Sequence, residues 1–291
     1  MNGGAVAQAT LTVGAVQVTA VCDVTADFPA PLERAFPQVE AAAWAPWRRR
    51  HPEAFSDTDR WRLRDWCFLV RAGDRTVLVD TGVGGPGVPG ASWIGTPGRL
   101  PEELAAAGVE PDEIDLVVLT HLHLDHIGWN LAWDGDRPRP RFPRARYLVQ
   151  RADWELFATR GDEDDREAFD RCVRPLQALG VAELLDGDRA LDDRLRLLHS
   201  PGHTPGSQSL LVASGNDAVL LWGDVANHPA QVGEPDWGPG SDIQPEVAGR
   251  TRRRLLERVE REAMWLAPAH FPEPFGTVAR VEGGRRWRGR R

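Results

Sequence analysis

Apolar and polar positions follow a strand-like period along most of the first half of the chain. Residues 9–22 alternate apolar with small polar side chains, which is typical of half-buried strands. Apolar runs at 64–70 and 76–79 surround a short Gly-Asp turn, which predicts a β-hairpin. The run at 114–120 is typical of a strand that is covered on both faces. The first half is therefore predicted to be rich in strands.

The second half repeats this order of strands followed by a helix. Further strands are predicted at residues 146–150, 195–199, 209–213 and 218–222, and helices at 101–107, 153–179 and 245–262. The last helix is amphipathic, with Leu255, Leu256 and Val259 on its apolar side and arginines and glutamates on the other. This order predicts two similar β-rich layers packed face to face with helices outside. We expect a single domain over residues 1–291.

Three segments depart from this regular pattern. Residues 28–55 combine several prolines with tryptophans, which predicts short helices and loops that form either a lid over a pocket or a dimer contact. The acidic run at 162–165 is predicted to be a solvated loop, and the basic tail at 285–291 a frayed end. Trp66 and Trp222 lie in strand-like runs and are expected in the core.

Composition narrows the class of protein. The 291 residues carry a formal charge of −8, which argues against a nucleic-acid-binding protein. The chain has no apolar stretch of about 18 residues, so no ordinary membrane helix is expected. Residues 1–12 lack the features of a signal peptide, and the three cysteines form no Cys-x-x-Cys pair. We therefore expect a cytoplasmic protein without disulfides or thiolate metal sites.

Histidines and aspartates gather at the ends of predicted strands. The chain has eight histidines, and three of them lie with an aspartate in the His-Leu-His-Leu-Asp-His sequence at residues 121–126. His203, Asp224 and His270 each follow a further apolar run. Imidazole and carboxylate are the ligands that suit zinc and similar ions, and burying them together without a cation would leave charges unpaired. The pattern therefore predicts a metal site.

These motifs, taken together, resemble the metallo-β-lactamase-fold superfamily of metal-dependent hydrolases. The matching elements are His-x-His-x-Asp-His, Gly-His-Thr-Pro-Gly, a later Gly-Asp, a final Ala-His and the early Asp-Thr-Gly at residues 80–82. The resemblance implies a four-layer αββα sandwich that holds two divalent metal ions. Zinc is the first choice, and iron, manganese and cobalt also suit nitrogen and oxygen ligands.

The resemblance also implies a role for each matching position. The first metal would be held by His121, His123 and His203, and the second by Asp125, His126 and His270, with Asp224 bridging both. Asp80 would orient a ligand histidine from outside, with Thr120 beside it. Two cations would supply hydroxide near neutral pH, and Asp125 would move a proton to the leaving group.

Residues 224–231 and 267–274 resemble most closely the branch that contains acyl-homoserine lactonases and methyl-parathion-type hydrolases. Those lactonases carry a tyrosine three residues after the bridging aspartate, whereas this chain has Asn227, which we expect to donate a hydrogen bond in its place. Aromatic and polar residues near the ligand segments are expected to line an apolar pocket: Trp93, Trp129, Asn227, His228, Trp237 and Phe271.

An apolar pocket favours a small lactone or ester as substrate. An organophosphate or aryl ester hydrolase, a thioesterase that acts on a metabolite, and an iron-dependent oxygenase on the same fold remain alternatives. A nuclease would require a basic surface that the sequence does not indicate. A homodimer is left open.

Overall fold

The computed structural model describes residues 8–159 and 163–290, and their strands form two seven-stranded sheets and a separate two-stranded ribbon. The first sheet has the spatial order β1 (Ala9–Val13), β2 (Val16–Asp27), β3 (Arg62–Ala72), β4 (Arg75–Val79), β5 (Leu116–Val118), β8 (Arg146–Gln150) and β9 (Ala182–Leu185). The ribbon pairs β6 (Leu131–Asp134) with β7 (Arg137–Pro140). The second sheet has the order β10 (Arg189–Ala190), β11 (Leu195–His199), β12 (Gln208–Ser214), β13 (Asp217–Gly223), β14 (Trp265–Pro268), β15 (Gly276–Val281) and β16 (Gly284–Gly289).

Helices fill the connections between the strands. The α-helices are α1 (Leu32–Ala35), α2 (Ala45–Arg50), α3 (Pro89–Ile94), α4 (Leu100–Ala106), α5 (Arg151–Thr159), α6 (Glu163–Cys172), α7 (Arg174–Ala178), α8 (Ala230–Gly233) and α9 (Pro245–Arg261). Short 3-10 helices cover Ala41–Trp44, Pro52–Ala54 and Pro111–Glu113. Among the described residues, no helix is both long enough and apolar enough to cross a membrane.

The two sheets pack face to face, and helices cover their outer faces. Alternate side chains of β3, such as Trp66 and Phe68, belong to a buried cluster that also contains Leu210 of β12 from the second sheet. The intervening Cys67 belongs instead to a cluster with Phe157 of α5. Because both faces of the sheet are covered here, β3 is apolar at every position from Trp66 to Val70. The expected αββα sandwich is confirmed.

Helix α9 covers the outer face of the second sheet, as its amphipathic pattern predicts. Leu255, Leu256 and Val259 pack in one buried cluster with Leu220 and Trp222 of β13. Burial of these apolar side chains is the main contribution of the helix to stability.

The direction of the strands places several loops at one edge of the sandwich. Strands β4, β5 and β8 run parallel, and so do β13 and β14. The segments that follow β4, β5, β13 and β14 therefore emerge from the carboxyl ends of neighbouring strands. Crevices at such ends are the usual place for ligand sites in open α/β sheets.

The predicted helix at 153–179 is wrong in its extent, because the structure has α5, α6 and α7 there. Pro175 stands in the first turn of α7, where its ring fits a helix start and not a helix interior. The described part of the acidic run is helical and not a loop. Asp164 and Asp165 lie in the first turn of α6, where the helix dipole stabilises negative charge. Residue 162 lies outside the described part.

The prediction of a frayed carboxyl-terminal end is also wrong. Residues 284–289 form β16, which pairs with β15 along its length, and Trp287 packs against Phe271 with ring centroids 5.1 Å apart. The many basic side chains of this segment mask the alternation that is typical of a strand, in which every second residue can face the core. Residue 291 and residues 1–7, where a signal peptide was sought, lie outside the described part.

Residues 28–55 pack against the rest of the chain through their aromatic side chains. Phe36, Trp44, Trp47 and Phe55 are buried in one cluster, which also contains Ala230 of α8. Their apolar surface is therefore covered within the chain itself. Whether the segment also acts as a lid or a dimer contact stays a prediction. Trp66 and Trp222 lie in the core as expected.

Candidate metal centre

The predicted ligands converge at the edge where the parallel strands end. The loop after β5 carries residues 121–126, and the turn after β11 carries His203. Asp224 follows β13 directly, and His270 follows β14 by two residues. Gly223 has φ +58°, and a Cβ there would lie 2.7 Å from that of Thr120. A glycine before Asp224 therefore lets β13 approach the histidine loop closely.

Three histidines form the first group of donor atoms. The distance from His121 Nε2 to His123 Nδ1 is 3.0 Å, and the distance from His123 Nδ1 to His203 Nε2 is 2.9 Å. The three donor atoms all lie within 4.8 Å of one another. Nitrogen atoms that bind one tetrahedral zinc ion at about 2.1 Å lie about 3.4 Å apart, so this arrangement is close to the geometry of a zinc site.

Asp125, His126 and His270 form the second group. His126 Nε2 lies 3.7 Å from Asp125 Oδ1 and 3.2 Å from His270 Nε2, and His270 Nε2 lies 3.7 Å from Asp125 Oδ2. The histidine side chains are at most 1% exposed, whereas that of Asp125 is 13% exposed. Solvent and substrate can therefore reach the Asp125 carboxylate.

The Asp224 carboxylate lies between the two groups. Its Oδ2 atom is 3.4 Å from His203 Nε2, and its Oδ1 atom is 3.4 Å from His126 Nε2 and 3.2 Å from His270 Nε2. Oδ1 is buried and has no hydrogen-bond donor among the described residues. A buried carboxylate oxygen without a donor is costly unless a cation binds it. The residues present therefore fit two metal ions that share Asp224.

Asp80 and Thr120 hold two of the ligand histidines from outside. Asp80 Oδ2 lies 2.8 Å from His126 Nδ1 and accepts a hydrogen bond of 2.7 Å from the Thr120 hydroxyl. The same hydroxyl oxygen lies 3.1 Å from His121 Nδ1, from which it can accept a second bond. These partners leave the Nε2 atoms of His121 and His126 free to bind a metal.

His203 and His270 have outer partners that the sequence analysis missed. His203 Nδ1 lies 2.9 Å from Asp242 Oδ1, and His270 Nδ1 lies 3.1 Å from the backbone oxygen of Arg64. Asp242 is far from His203 in sequence. The feature of the sequence that could have indicated this contact is the position of Asp242 just before α9. A backbone acceptor such as that of Arg64 leaves no signal in the sequence.

Burial and charge act in opposite directions on the histidines. Burial lowers the pKa of His121 and His123 well below the usual value. For His126 and His270 burial has the same tendency, but Asp224 and other carboxylates outweigh it, so that the pKa of His270 is raised to about 9. The pKa of Asp224 is held well below its usual value, because His270 and His126 overcome the effect of burial. The carboxylates thus favour positive charge at the centre, which metal ions would supply.

Several of the donor residues line a cavity of about 500 Å³. Trp93 and Asn227, two of the six expected pocket residues, line it. Other apolar walls, which the sequence analysis did not name, come from Phe28, Trp61, Leu124, Leu156, Phe157 and Ile243. Little in the sequence indicates that these residues line one cavity, because they lie on segments far apart in the chain.

The other four expected pocket residues lie away from the cavity wall. The Trp129 indole donates a hydrogen bond of 2.9 Å to Asp23 and packs on the core. Phe271 is fully buried beside Trp222 and Trp287, and Trp237 packs on Trp44 and Trp47. His228 is enclosed by Phe36, Trp44 and Phe55. Proximity in sequence to a ligand did not decide the direction of these side chains.

Two buried aspartates, also missed, hold the loops around the centre. Asp23 accepts hydrogen bonds from the backbone nitrogens of Val83 and Leu100, which fixes the loop that carries Trp93. Asp153 accepts bonds from the Thr204 hydroxyl at 2.7 Å and from the Gly206 nitrogen at 2.6 Å, which fixes the turn that carries His203. Both act on backbone groups, so neither belongs to a recognisable ligand motif.

Comparison with known proteins agrees with this geometry. The model of the metallo-β-lactamase superfamily matches residues 60–270. An N-acyl homoserine lactonase from Bacillus thuringiensis is 28% identical over 210 residues, which are 68% of this chain and 77% of the relative.

Two solved structures share the fold over almost the whole chain. The hydrolase AbOPH has a TM-score of 0.80 at 22% identity and covers 98% of this chain and 97% of its own. AidC, a dizinc quorum-quenching lactonase, has a TM-score of 0.80 at 19% identity with the same coverage. The match to the family model covers most of the chain and includes the ligand motifs. The chain therefore belongs to the metallo-β-lactamase superfamily and is a metal-dependent hydrolase.

Proposed function

We propose that the chain is a dinuclear metal-dependent hydrolase that opens a lactone, or cleaves an ester, of a small and apolar substrate. The observation that carries this proposal is the pair of ligand groups with Asp224 between them, beside a cavity that has an aromatic wall. A single-metal enzyme would not need Asp125, His126 and His270 together with the three histidines of the other group.

Two divalent cations in this ligand set, zinc being the best suited, would lower the pKa of a shared water so that hydroxide is available near neutral pH. His121, His123 and His203 would hold one cation, and His126, His270 and Asp125 the other. Asp224 would bridge them through its two oxygens, which already face different groups.

Asp125 is the candidate for proton transfer. Its carboxylate lines the cavity and is the most exposed side chain of the second group. From there it can accept a proton from the attacking water and give it to the leaving oxygen. The Asn227 amide donates one N–H to Asp224 Oδ2, and its other N–H is the candidate donor to the substrate carbonyl.

Apolar side chains set the class of substrate. Phe28 stacks on Trp61 with ring centroids 5.0 Å apart and meets Trp93 edge to face at 5.5 Å. These rings form a continuous wall beside His270, which lies 5.9 Å from Trp61 between ring centroids. An acyl chain or an aryl group fits such a wall, and acyl-homoserine lactones, on which the named relative acts, combine an acyl chain with a lactone.

The test combines a metal count with a panel of substrates. Purified protein is analysed for bound metals and assayed on lactones with and without an acyl-amide chain, aryl esters, phosphotriesters and thioesters. We expect two metals per chain and the highest kcat/KM on an acyl lactone or ester. Preference for phosphotriesters or thioesters would select the corresponding alternative, and obligatory iron with consumption of oxygen would select the oxygenase.

Variants of the ligands are the control. Asp224→Ala and His203→Ala should abolish hydrolysis, and restoring metal should not rescue them. Wild-type activity in metal-stripped Asp224→Ala protein would rule out the proposed mechanism.

A further inference from the structure

Arg252 is an arginine buried at a core position of α9. It lies in the same helical stripe as Leu255, Leu256 and Val259, and it is 0% exposed. The amphipathic pattern predicts the arginines of this helix on the solvent side, and for Arg252 that prediction is wrong. Burial of a guanidinium costs several kcal/mol unless its donors are satisfied, so the position needs an explanation.

The guanidinium holds the loop between β13 and α9 at several points. Its Nε atom donates to the backbone oxygen of Val225 at 2.6 Å, and its Nη1 atom donates to those of Pro235 and Trp237, each at 2.8 Å. This loop begins directly after Asp224 and includes Asn227. Arg252 therefore fixes the backbone on both sides of Asn227, which lines the cavity.

A fourth contact connects Arg252 with the metal centre. Its Nη2 atom lies 3.3 Å from Asp242 Oδ2, while the other oxygen of Asp242 lies 2.9 Å from His203 Nδ1. The Asp242 side chain is 0% exposed, so water does not compete for either oxygen. A continuous chain of charged and hydrogen-bonded groups thus runs from the helix to a metal ligand.

The start of α9 and the two residues before it are also joined to the His203 turn. The nitrogens of Ile243 and Gln244 donate to the oxygens of His203 and Gly202, each at 2.9 Å, and the Thr251 hydroxyl donates to the Pro201 oxygen at 2.7 Å. Gly202 has φ +136°, and a Cβ there would overlap Ala248. The helix therefore sits directly against the turn that presents His203.

We propose that Arg252 is a positioning residue that orients His203 through Asp242 and so sets the affinity of the metal site formed with His121 and His123. Arg252 donates to one oxygen of Asp242 and so leaves the other oxygen aimed at His203 Nδ1, which holds the imidazole in the tautomer with its Nε2 lone pair facing the metal. The inference rests on the proposed function in that it concerns one of its two metal sites.

The experiment is a double-mutant cycle on metal affinity. Wild type, Arg252→Met, Asp242→Ala and the double variant are titrated with zinc against a chromophoric chelator, and with cobalt to record the visible spectrum of each site. His203→Ala identifies which of the two binding steps belongs to the His203 site. Arg253→Met is the matched control, because Arg253 is the next residue of the helix and pairs with the exposed Asp236.

We expect Arg252→Met to weaken the His203 site by about tenfold to a hundredfold, and to change its cobalt spectrum, while the other site keeps its affinity. The double variant should lose no more affinity than Asp242→Ala alone, because both changes act through one contact. Arg252→Lys keeps the charge but loses the forked geometry, so we expect an intermediate affinity. This variant replaces Arg252→Met in the cycle if the latter does not fold.

Additive losses in the cycle, equal weakening of both sites, or unchanged affinity with a lower Tm would each overturn the inference and leave Arg252 a structural residue. These outcomes are distinct from failure of the proposed function. A wild-type protein that binds metal in the His203 site but hydrolyses no lactone or ester would contradict that function, and the cycle would remain measurable.

Discussion

The side-chain amide of Asn227 donates a hydrogen bond of 2.5 Å from Nδ2 to Oδ2 of Asp224, the carboxylate that both ligand groups share. The contact orients Asp224 from the cavity side, and it also fixes which end of the Asn227 amide faces the centre. The position at which the resembling lactonases carry a tyrosine thus holds Asn227, which contacts the Asp224 carboxylate and lines the cavity.

Removal of this amide should lower turnover more than substrate binding. We expect Asn227→Ala to reduce kcat by about a hundredfold with a smaller change in KM, because a donor to a developing oxyanion acts mainly in the transition state. Steady-state kinetics on the best substrate of the panel is the measurement. Asn227→Tyr restores a donor, and it should favour acyl-homoserine lactones over simple aryl esters. An Asn227→Ala enzyme with unchanged kcat would contradict the role.

The Asp80 carboxylate should contribute to metal affinity through His126. Asp80 has φ +61°, a conformation that asparagine tolerates, so Asp80→Asn changes the charge with little effect on the backbone. We expect it to weaken the second metal site by about tenfold to a hundredfold in a chelator competition assay. Thr120→Ser, which keeps the hydroxyl between Asp80 and His121, is the control and should retain wild-type affinity. Equal affinity in Asp80→Asn would show that the contact does not position the ligand.

Metal binding should release protons at neutral pH. The carboxylate of Asp224 raises the pKa of His270 to about 9 and also raises that of His126, which favours the protonated rings, whereas a metal binds the neutral ring. Metal affinity should therefore increase as the pH rises towards 9. Calorimetry in two buffers with different ionisation enthalpies measures the protons released. Asp224→Asn should release fewer, because the charge that raises both pKa values is removed; heats independent of the buffer would refute this account.

His228 should make the protein less stable in mild acid. Burial, with a smaller effect of His51, lowers the pKa of His228 to about 3. An unfolded histidine protonates near pH 6.5, so between these values the unfolded state binds more protons and stability falls as pH falls. The slope is at most about 1.4 kcal/mol per pH unit.

Urea denaturation at about pH 7.5 and pH 5 measures this effect. His228→Gln should lose less stability than wild type between the two conditions, because glutamine does not titrate in either state. The other titrating groups are common to both proteins and cancel in the comparison. Identical losses in wild type and variant would mean that His228 contributes no pH dependence.

The sequence by itself determined the layers and the set of candidate ligands. Strand periodicity reflects which side chains can face a core, so β11 and β8 appear with the bounds that the structure has, and the apolar face of α9 was recognised from Leu255, Leu256 and Val259. The convergence of the candidate ligands could also be predicted, because a metal site needs particular residue types at strand ends, and few other uses would place so many histidines there.

Only the tertiary structure decided what surrounds those ligands. Arg252 reads as a solvent-facing helix residue, and it is buried because Asp242 and three backbone oxygens, which the sequence does not bring near it, satisfy its donors. Trp129 and Phe271 lie next to ligands in sequence and still point elsewhere. Side-chain direction and long-range pairing depend on packing between distant segments, and local sequence carries little information about either.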